Sequence, residues 1–354
     1  KAYNYIDKMS ASMPTTPNKS TLNKLITHSG DIIDQTITTY YKAPKSFTGE
    51  DMVEISMHGG NAVINKFIEV FKRNKRVRLA EPGEFTRRSF ENNKLDLTQV
   101  EAIADLVNAE TEYQRKQAYS QLEGGLTLKT KEIHNELINI LANIEAIIDF
   151  TDEELPKDLL INIKEQIENT SKEIDDILTN NNKGRKVRDG FIVGIIGNTN
   201  TGKSSFINNV SNQEVAIVSS MPGTTRDAIE SYIDINGLPV RFFDTAGIRK
   251  HRNTVEKIGI NKSKEISKEA DLSLVFINKA SEINDFAGVS NPIFVQSKYD
   301  IRKKPITNSN VMNISSKTNY GINSLLKIVF QRVSERNFAE NTYISRERHV
   351  ECLR

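Results

Sequence analysis

The chain predicts a multidomain fold of class α/β plus α: a small α+β domain, a helical bundle, and an α/β domain with a mostly parallel sheet and one antiparallel hairpin strand. Short strand and helix patterns mix up to residue 92, which is typical of an α+β domain. Apolar residues then recur at three- and four-residue spacing, as in amphipathic helices. From Phe191 onward, apolar runs alternate with helical segments. We therefore predict domains at 1–92, 93–189 and 190–336, with residues 337–354 returning to helix.

Composition narrows the class of protein. Hydrophobic residues make up 37% and charged residues 27% of the 354 positions, and a net charge of +2 argues neither for nor against nucleic acid. No run of 18 apolar residues and no signal peptide is found, so we expect no membrane span. The single cysteine, Cys352, excludes a disulfide framework and a zinc cluster and favours a reducing cytoplasm. The chain starts without Met and stops at Arg354 in mid-pattern, so we expect a longer natural protein at both ends.

The first domain alternates turns with short elements. Met52–Met57 alternates as a strand does, and Ala62–Phe71 has helical spacing. A basic run follows this helix and comprises Lys72, Arg73, Lys75, Arg76 and Arg78. A solvated helix end is the favoured interpretation of the run, and an RNA contact is the sharper alternative.

The middle region predicts long amphipathic helices whose apolar stripes pack on one another as a bundle. The stripes comprise Leu97, Val100, Ile103, Ala104 and Val107, then Ile133, Leu137, Ile140, Leu141, Ile144 and Ile148, then Leu160, Ile163, Ile167, Ile174, Ile177 and Leu178. Residues 180–190 are polar, basic and glycine-containing, which predicts a linker.

The last large region predicts buried strands. Phe191–Ile196 would be the first of them. Asn236-Gly237 is a strong signal for a hairpin turn between two further strands. Leu272–Ile277 and Pro292–Val295 are apolar runs of strand length. Strands that alternate with helices predict a mostly parallel sheet.

The stretch Gly197-Asn198-Thr199-Asn200-Thr201-Gly202-Lys203-Ser204 lies between the first of these strands and a helical segment, which is the context of a phosphate-binding P-loop. Its glycines let backbone N–H groups surround a phosphate, and the helix N-terminus adds partial positive charge. Lys203 can reach the β- and γ-phosphates, and Ser204 can ligate Mg²⁺. The alternative is a chance glycine pattern in a surface loop.

Four further motifs follow in the order of a Ras-like G domain. Gly223–Asp227 offers a threonine that can complete the Mg²⁺ shell, and Asp244–Gly247 can meet Mg²⁺ and the γ-phosphate. In Ser297–Asp300, the carboxylate of Asp300 can accept the N1 and N2 hydrogens of guanine. Ser315–Lys317 follows one more strand and would contact the base edge. Together the motifs predict a guanine-nucleotide domain.

The group that orients the attacking water is not fixed by these motifs. Ras-like GTPases use a Gln just after the Asp-x-x-Gly motif, and here that position is Ile248, which can do no acid–base work. Glu256 is the nearby candidate. Glu265 and Glu269 compete on sequence alone, and an exposed helix carboxylate is the alternative for Glu256.

These residues resemble the MnmE (TrmE) family of tRNA uridine modification GTPases over nearly the whole chain. The resemblance rests on Ser46–Asp51, His58–Gly60, Pro82–Thr86, Asn93–Leu97, Asp149-Phe150 and Gly223–Asp227. It implies an N-terminal folate-binding and dimerising domain, incomplete at its start, and a Ras-like P-loop G domain inserted between two parts of a helical domain, the second part truncated.

The resemblance also implies partners and chemistry. Family members form homodimers and hydrolyse GTP when K⁺ drives dimerisation of their G domains. With the flavoprotein MnmG, in a heterotetramer, they modify the wobble uridine of tRNA at C5, using a one-carbon unit from 5-formyl- or methylene-tetrahydrofolate. Glu256 matches the general base of the family.

The resemblance and the motifs together assign a set of binding residues. The expected GTP-binding residues are Gly197, Asn200, Thr201, Gly202, Lys203, Ser204, Ser205, Ser219, Thr224, Thr225, Asp244, Thr245, Ala246, Gly247, Ser297, Lys298, Asp300, Ser315, Ser316 and Lys317. The implied metal ligands are Ser204 and Thr225 for Mg²⁺, and Asn200, Ser219, Met221 and Thr224 for K⁺. Glu54 and Lys94 match folate-contacting positions.

Departures from the family pattern bear on activity. The guanine motif begins with Ser297 where the family has Asn, so we expect weaker guanine binding with selectivity still set by Asp300. The C-terminal Cys-x-Gly-Lys motif and an N-terminal folate-contacting arginine are absent, and Cys352 is interpreted as an ordinary helix residue. A K⁺-activated GTPase is therefore the leading hypothesis, and a catalytically impaired guanine-nucleotide-binding remnant is the runner-up. A ribosome-assembly GTPase of the Era or EngA type is disfavoured by the folate-type domain in front.

Overall fold

The computed structural model describes residues 2–10, 12–73, 76–149, 158–212, 230–244, 270–302, 305–334 and 344–354. The chain divides into two compact units, the first ending at Glu101 and the second starting at Ala102. Within the described ranges, every helix is too short or too polar to cross a membrane.

The first unit holds a three-stranded antiparallel sheet. Its strands, in spatial order, are β1 (Ser20–Ile26), β2 (Ile32–Tyr41) and β3 (Met52–Ser56). Its helices are α1 (Ala2–Asp7), α2 (Asn61–Lys72), α3 (Glu84–Glu91) and the start of α4 (Leu97–Val107). The predicted strand at Met52 and helix at Ala62 are confirmed.

The strand pair β1–β2 places apolar side chains on its outer face. Leu22 pairs with Ile37 across the two strands, and these side chains are 63% and 51% exposed. The neighbouring Thr36 and Thr38 are buried. The side chains of β2 therefore alternate as a strand requires, but with the apolar residues outward.

The helical part of the second unit contains α5 (Glu112–Leu122), α6 (Gly125–Asp149) and α7 (Leu159–Asp189). Helices α6 and α7 run antiparallel, since Lys129 pairs with Glu173 and Thr170 donates to Glu136 Oε2 at 3.0 Å. Helices over these apolar stripes are confirmed. The prediction that the stripes pack on one another holds only in part, because Leu137, Leu141, Ile148, Leu160 and Ile167 are 46–66% exposed.

The linker predicted at residues 180–190 is wrong, because α7 continues through Asp189. Gly184 is buried within this helix, where a Cβ would lie 2.0 Å from the carbonyl oxygen of Ile344. The glycine thus permits a close contact between α7 and the C-terminal segment. Glycine is also common in linkers, so the local sequence does not distinguish the two roles.

The C-terminal segment packs on these helices. Ile344 and Val350 form an apolar cluster with Leu126 of α6, and Arg346 Nη2 lies 2.7 Å from Asp105 Oδ1. Helix α10 (Glu347–Leu353) follows and carries Cys352, which is exposed.

The region that follows α7, from Phe191 onward, forms a six-stranded sheet and is called the nucleotide region below. Its strands are β4 (Phe191–Gly197), β5 (Glu230–Ile235), β6 (Leu238–Asp244), β7 (Leu272–Phe276), β8 (Pro292–Gln296) and β9 (Val311–Asn313), in the spatial order β5-β6-β4-β7-β8-β9. All neighbouring pairs are parallel except β5–β6, which is a hairpin turning at Asn236-Gly237. The predicted mostly parallel sheet with one antiparallel hairpin strand is confirmed.

One core lies under α8 (Lys203–Ser211) and α9 (Ile322–Ser334), which share a face of this sheet. Phe206 of α8 is fully buried and contacts the rings of Phe242 and Phe276, with centroids 5.8 and 5.6 Å away. This aromatic contact fixes α8, and with it the loop that precedes α8, on the carboxyl ends of the central strands.

The hairpin β5–β6 is also attached to the helical part. Gln114 of α5 donates to the Tyr232 hydroxyl at 2.6 Å and to the Arg188 carbonyl at 2.9 Å. Burial raises the pKa of the Tyr232 phenol. Lys186 of α7 pairs with Asp271, whose other carboxylate oxygen accepts Ile192 N at 3.0 Å.

Candidate functional site

The loop between β4 and α8 has the form of a P-loop. It leaves the carboxyl end of a central parallel strand and enters a helix at Lys203. Gly202 caps the helix in the left-handed region at φ 93°, and a Cβ there would lie 2.4 Å from Ser297 Oγ. Glycine is therefore required at this position both by the backbone conformation and by the nearby side chain of Ser297.

Lys203 is folded over this loop. Its Nζ donates to the carbonyl oxygens of Gly197 at 2.8 Å and Asn198 at 2.6 Å, and the residue is only 6% exposed. The ammonium group is thus already held where the loop would surround a phosphate. A phosphate oxygen is a stronger partner for an ammonium than a neutral carbonyl, so the loop is suited to an anion.

The loop after β8 contacts the P-loop directly. Ser297 is buried and its hydroxyl donates to the carbonyl of Thr201, while Lys298 Nζ donates to the carbonyl of Asn200 at 3.1 Å. Thr201 is itself buried and donates to Asn198 O at 2.8 Å. The serine therefore keeps a contact with the P-loop despite lacking the amide of the family pattern.

Asp300 lies in a short 3₁₀ turn, Tyr299–Ile301, after β8. It is exposed, and its Oδ1 accepts a 2.7 Å hydrogen bond from the Ser315 hydroxyl. Ser315 is fully buried and follows β9. The structure thus brings together two motifs that the sequence places on separate strand ends.

The remaining residues of the loop after β9 are held from α8. Asn209 donates to the Ser316 carbonyl at 2.8 Å and to Asn319 Oδ1 at 2.7 Å. Lys317 is exposed in the turn between them. The β9 loop, the β8 loop and the P-loop consequently meet at one edge of the sheet, as expected for the carboxyl ends of parallel strands.

Three contributors to this arrangement were missed by sequence reasoning. The rings of Tyr299 and Tyr320 stack with centroids 4.6 Å apart and planes 9° apart. Arg302 donates to Ser297 O and to Asn278, and Asn209 holds the β9 loop. Tyr299 and Arg302 lie within two residues of Asp300 in sequence, but no local pattern reveals their partners.

Several predicted residues lie outside the described residues or at their border. Those outside are Ser219, Met221, Thr224, Thr225, Thr245, Ala246, Gly247 and Glu256, together with Ile248, Glu265 and Glu269. Asp244 is the last residue of β6 and pairs with Ile195 of β4, so the backbone of that motif does end a strand beside the P-loop strand. Ser204 and Ser205 are exposed in the first turn of α8.

The two residues of the first unit that were predicted to contact folate have separate partners. Glu54 of β3 accepts a 3.0 Å hydrogen bond from the Tyr41 hydroxyl, which raises the pKa of that phenol. Lys94 Nζ donates to the Pro44 carbonyl at 3.1 Å. Both side chains are exposed enough to meet a ligand.

The basic run after α2 is partly neutralised within the fold. Arg73 pairs with Glu69 at 2.8 Å, and Arg78 makes two hydrogen bonds to Glu84 at 2.7 and 2.9 Å. Lys75 lies outside the described residues. Because these guanidinium groups pair with carboxylates of the same fold, the basic run is better interpreted as a solvated helix end than as an RNA contact.

The sequence matches two family profiles, described as "MnmE helical domain" over residues 97–354 and "GTP-binding protein TrmE N-terminus" over residues 1–94. A tRNA modification GTPase MnmE of Pelagibacter ubique is 43% identical over 298 residues, covering 82% of this chain and 66% of that protein. Those of Dinoroseobacter shibae and Aquifex aeolicus are 39% and 38% identical, each over 92% of this chain and 75% of the relative. The chain therefore spans about two thirds to three quarters of the length of these relatives.

A solved G domain shows a lower similarity. The G domain of the T. maritima FeoB iron transporter is 20% identical to this chain. The match covers 41% of this chain and 97% of that domain, with a TM-score of 0.30.

Proposed function

Since this chain belongs to the MnmE family of tRNA modification GTPases, we propose that it binds and hydrolyses GTP as a step in tRNA modification in the cytoplasm. The observation that supports this proposal best is the junction of the β8 loop with the P-loop. Ser297 and Lys298 contact Thr201 and Asn200. The loop that we propose to recognise the base therefore lies beside the loop that we propose to bind the phosphates.

Each end of the nucleotide has a proposed partner. Lys203 and the backbone of residues 198–202 would take the phosphates, and the exposed carboxylate of Asp300 would take the N1 and N2 hydrogens of guanine. Adenine lacks this donor pair, so Asp300 would select against ATP. Ser315 would hold the carboxylate in place through its hydroxyl.

The Ser204 hydroxyl suits Mg²⁺, which prefers oxygen ligands, because it is exposed in the first helical turn beside Lys203. Thr225 would be its second protein ligand. The ion would neutralise charge on the phosphates. We further propose that Asn200, Ser219, Met221 and Thr224 bind K⁺, and that Glu256 orients the attacking water.

GTP turnover in KCl and in NaCl at equal ionic strength tests this proposal. We expect faster turnover in KCl, loss of turnover in Glu256→Ala, and no change in Glu351→Ala, which alters an exposed carboxylate of α10. Equal rates in the two salts would contradict only the proposed K⁺ site and not the proposed GTP hydrolysis. Absence of GTP binding would contradict the whole proposal.

A guanine-nucleotide-binding remnant without useful turnover is the second candidate, favoured by Ser297 in place of the family's Asn. This reading predicts GTP binding without hydrolysis in either salt. The Ser297 hydroxyl bond to Thr201 supports the enzyme, because the P-loop contact is retained.

The proposed assembly is a homodimer that works with MnmG, tRNA and a tetrahydrofolate one-carbon donor. The outward Leu22–Ile37 pair on β1–β2 supports a covered sheet face in the first unit. Glu54 and Lys94 would contact the folate. Sedimentation of the chain and of Leu22→Asp tests the dimer, since the charged side chain should shift the mass toward the monomer.

A further inference from the structure

Arg302 joins the ends of two neighbouring strands beside the base-recognising loop. Its Nε donates to the Ser297 carbonyl at 2.7 Å, just after β8. Its Nη2 and Nη1 donate to Oδ1 and O of Asn278, at 2.8 and 3.2 Å, just after β7. The half-buried guanidinium therefore closes the loop 297–302 with one hydrogen bond to Ser297 O and attaches it to Asn278 with two.

The sheet provides a firm anchor for this guanidinium. Gln296, which is buried, donates to Asn278 O at 3.1 Å and accepts from Ile306 N at 2.8 Å. Asn278 N in turn donates to Glu282 at 3.1 Å. Asn278 is therefore itself held in place on both sides.

The loop that Arg302 anchors has a demanding backbone. Lys298 adopts a left-handed conformation at φ 60°, which is unfavourable for a non-glycine residue. Such a conformation persists where the surroundings hold it. Arg302 holds the carbonyl of the preceding residue, and the Ile301 N to Lys298 O bond at 3.2 Å closes the turn. Asp300 lies inside this turn.

The opposite side of the turn is fixed by the β9 loop. Tyr299 N donates to Ile314 O at 3.0 Å, its ring stacks on Tyr320, and Ser315 holds Asp300 Oδ1. Arg302 therefore fixes the β7–β8 side of a turn whose other side is fixed separately. Its removal should loosen the placement of Asp300 without unfolding the sheet.

We propose that Arg302 is a positioning residue for guanine recognition, which acts by holding Ser297 O and so setting the position of the Asp300 carboxylate. The proposal rests on the proposed GTP binding and adds a specificity role to a residue outside the predicted set. It implies that Arg302 matters most for the second hydrogen bond to the base, because two bonds to one carboxylate tolerate less displacement than one bond.

The test compares binding of GDP, IDP and ADP to the full chain and to Arg302→Ala. Hypoxanthine keeps N1–H but lacks the 2-amino group of guanine, so the ratio of IDP to GDP dissociation constants reports how well Asp300 is placed. We expect Arg302→Ala to weaken GDP binding about tenfold and to lower this ratio at least about threefold. Arg332→Ala, an exposed arginine of α9, should change neither value.

Two more variants keep the test decisive if Arg302→Ala does not fold. Arg302→Lys keeps the charge but has one donor group for acceptors that follow two different strands, and Asn278→Ala removes one acceptor. Both should lower the same ratio by a smaller factor, with the thermal midpoint of the nucleotide-free chain little changed.

Equal loss of GDP and IDP affinity would overturn the positioning role, because general loosening affects both nucleotides alike. Unchanged affinity for both nucleotides in these variants would also overturn it, and neither outcome would contradict the proposed GTP binding. A wild-type chain that does not prefer GDP to ADP would instead contradict the proposed function, and this inference with it.

Discussion

The Ser315 hydroxyl donates a 2.7 Å hydrogen bond to Oδ1 of Asp300, and this contact links the loops that follow β8 and β9. Ser315 is fully buried, whereas Asp300 is exposed. The carboxylate is therefore oriented by the protein and reachable by a ligand. A side chain in that state can select a base by its pattern of hydrogen-bond donors.

Asp300→Asn should change base preference from guanine toward xanthine. The amide offers one donor and one acceptor, which match O2 and N1–H of xanthine, whereas guanine requires two acceptors. We expect GDP affinity to fall at least about tenfold, the effect of losing a charged hydrogen bond, and XDP affinity to rise. Competition binding of the two nucleotides measures this change. The exposed Asp285→Asn is the control, and an unaltered GDP preference in Asp300→Asn would rule out base reading by this carboxylate.

Lys203→Ala should weaken nucleotide binding through the phosphates. The ammonium lies on two P-loop carbonyls and would transfer its hydrogen bonds to phosphate oxygens. Charged hydrogen bonds contribute about 1.5–3 kcal/mol, so we expect a roughly ten- to hundredfold loss of GDP affinity with little change for guanosine. Titration calorimetry with both compounds separates the two effects. Lys327→Ala, on the exposed side of α9, is the control, and equal losses for GDP and guanosine would argue against a phosphate role.

Gly184→Ala should destabilise the chain although alanine is the better helix former. The added methyl would lie 2.0 Å from the Ile344 carbonyl oxygen, so α7 and the C-terminal segment must separate. Overpacking of this kind costs about 1–3 kcal/mol. The exposed Asn182→Ala in the same helix should instead stabilise by a few tenths of a kcal/mol, about its gain in helix propensity. Thermal unfolding of both variants gives the sign, and a raised midpoint in Gly184→Ala would disprove the close contact.

Glu84→Gln should lose an acid-sensitive part of the stability of the first unit. Hydrogen bonds from Arg78, then from Glu81 N and Arg88, lower the pKa of Glu84 from 4.5 to about 2. A lowered pKa means that the carboxylate stabilises the fold above pH 4.5 and loses this effect as the pH falls toward about 2. The urea midpoint of Glu84→Gln should therefore lie below that of the wild type at pH 7, and the gap should narrow near pH 3.

The exposed Glu91→Gln, which breaks the 3.1 Å pair with Arg87, is the matched control for Glu84 and should behave as the wild type at every pH. A constant gap between Glu84→Gln and the wild type across this pH range would show that Glu84 acts by packing and not by charge.

Much of the nucleotide region could be predicted because its signals are local. The P-loop lies between a strand and a helix in sequence, and the Asn236-Gly237 turn joins adjacent strands. Asp300 and Ser315 each follow an apolar run, so parallel pairing brings them to one edge. Knowledge of the strand order adds only the final contact between them.

The parts that were missed depend on partners far away in the chain. Gly184 resembles a linker residue in the local sequence. The carbonyl of Ile344, which makes glycine necessary there, lies about 160 residues further along the chain. Arg302 and Asn278 follow two neighbouring strands, and nothing near either residue in the sequence indicates that they form a hydrogen bond. Local propensity describes the chain's own preferences and is silent on such packing.

The junction of α7 with the sheet determines where the chain can be divided for experiment. A fragment starting at Gly190 would leave out Lys186, which pairs with Asp271, and Val187, which lies in the core of the sheet. It would also leave out Gln114, which holds the Tyr232 hydroxyl. A recombinant nucleotide domain should accordingly retain the last turns of α7, because its hydrophobic core begins before its first strand.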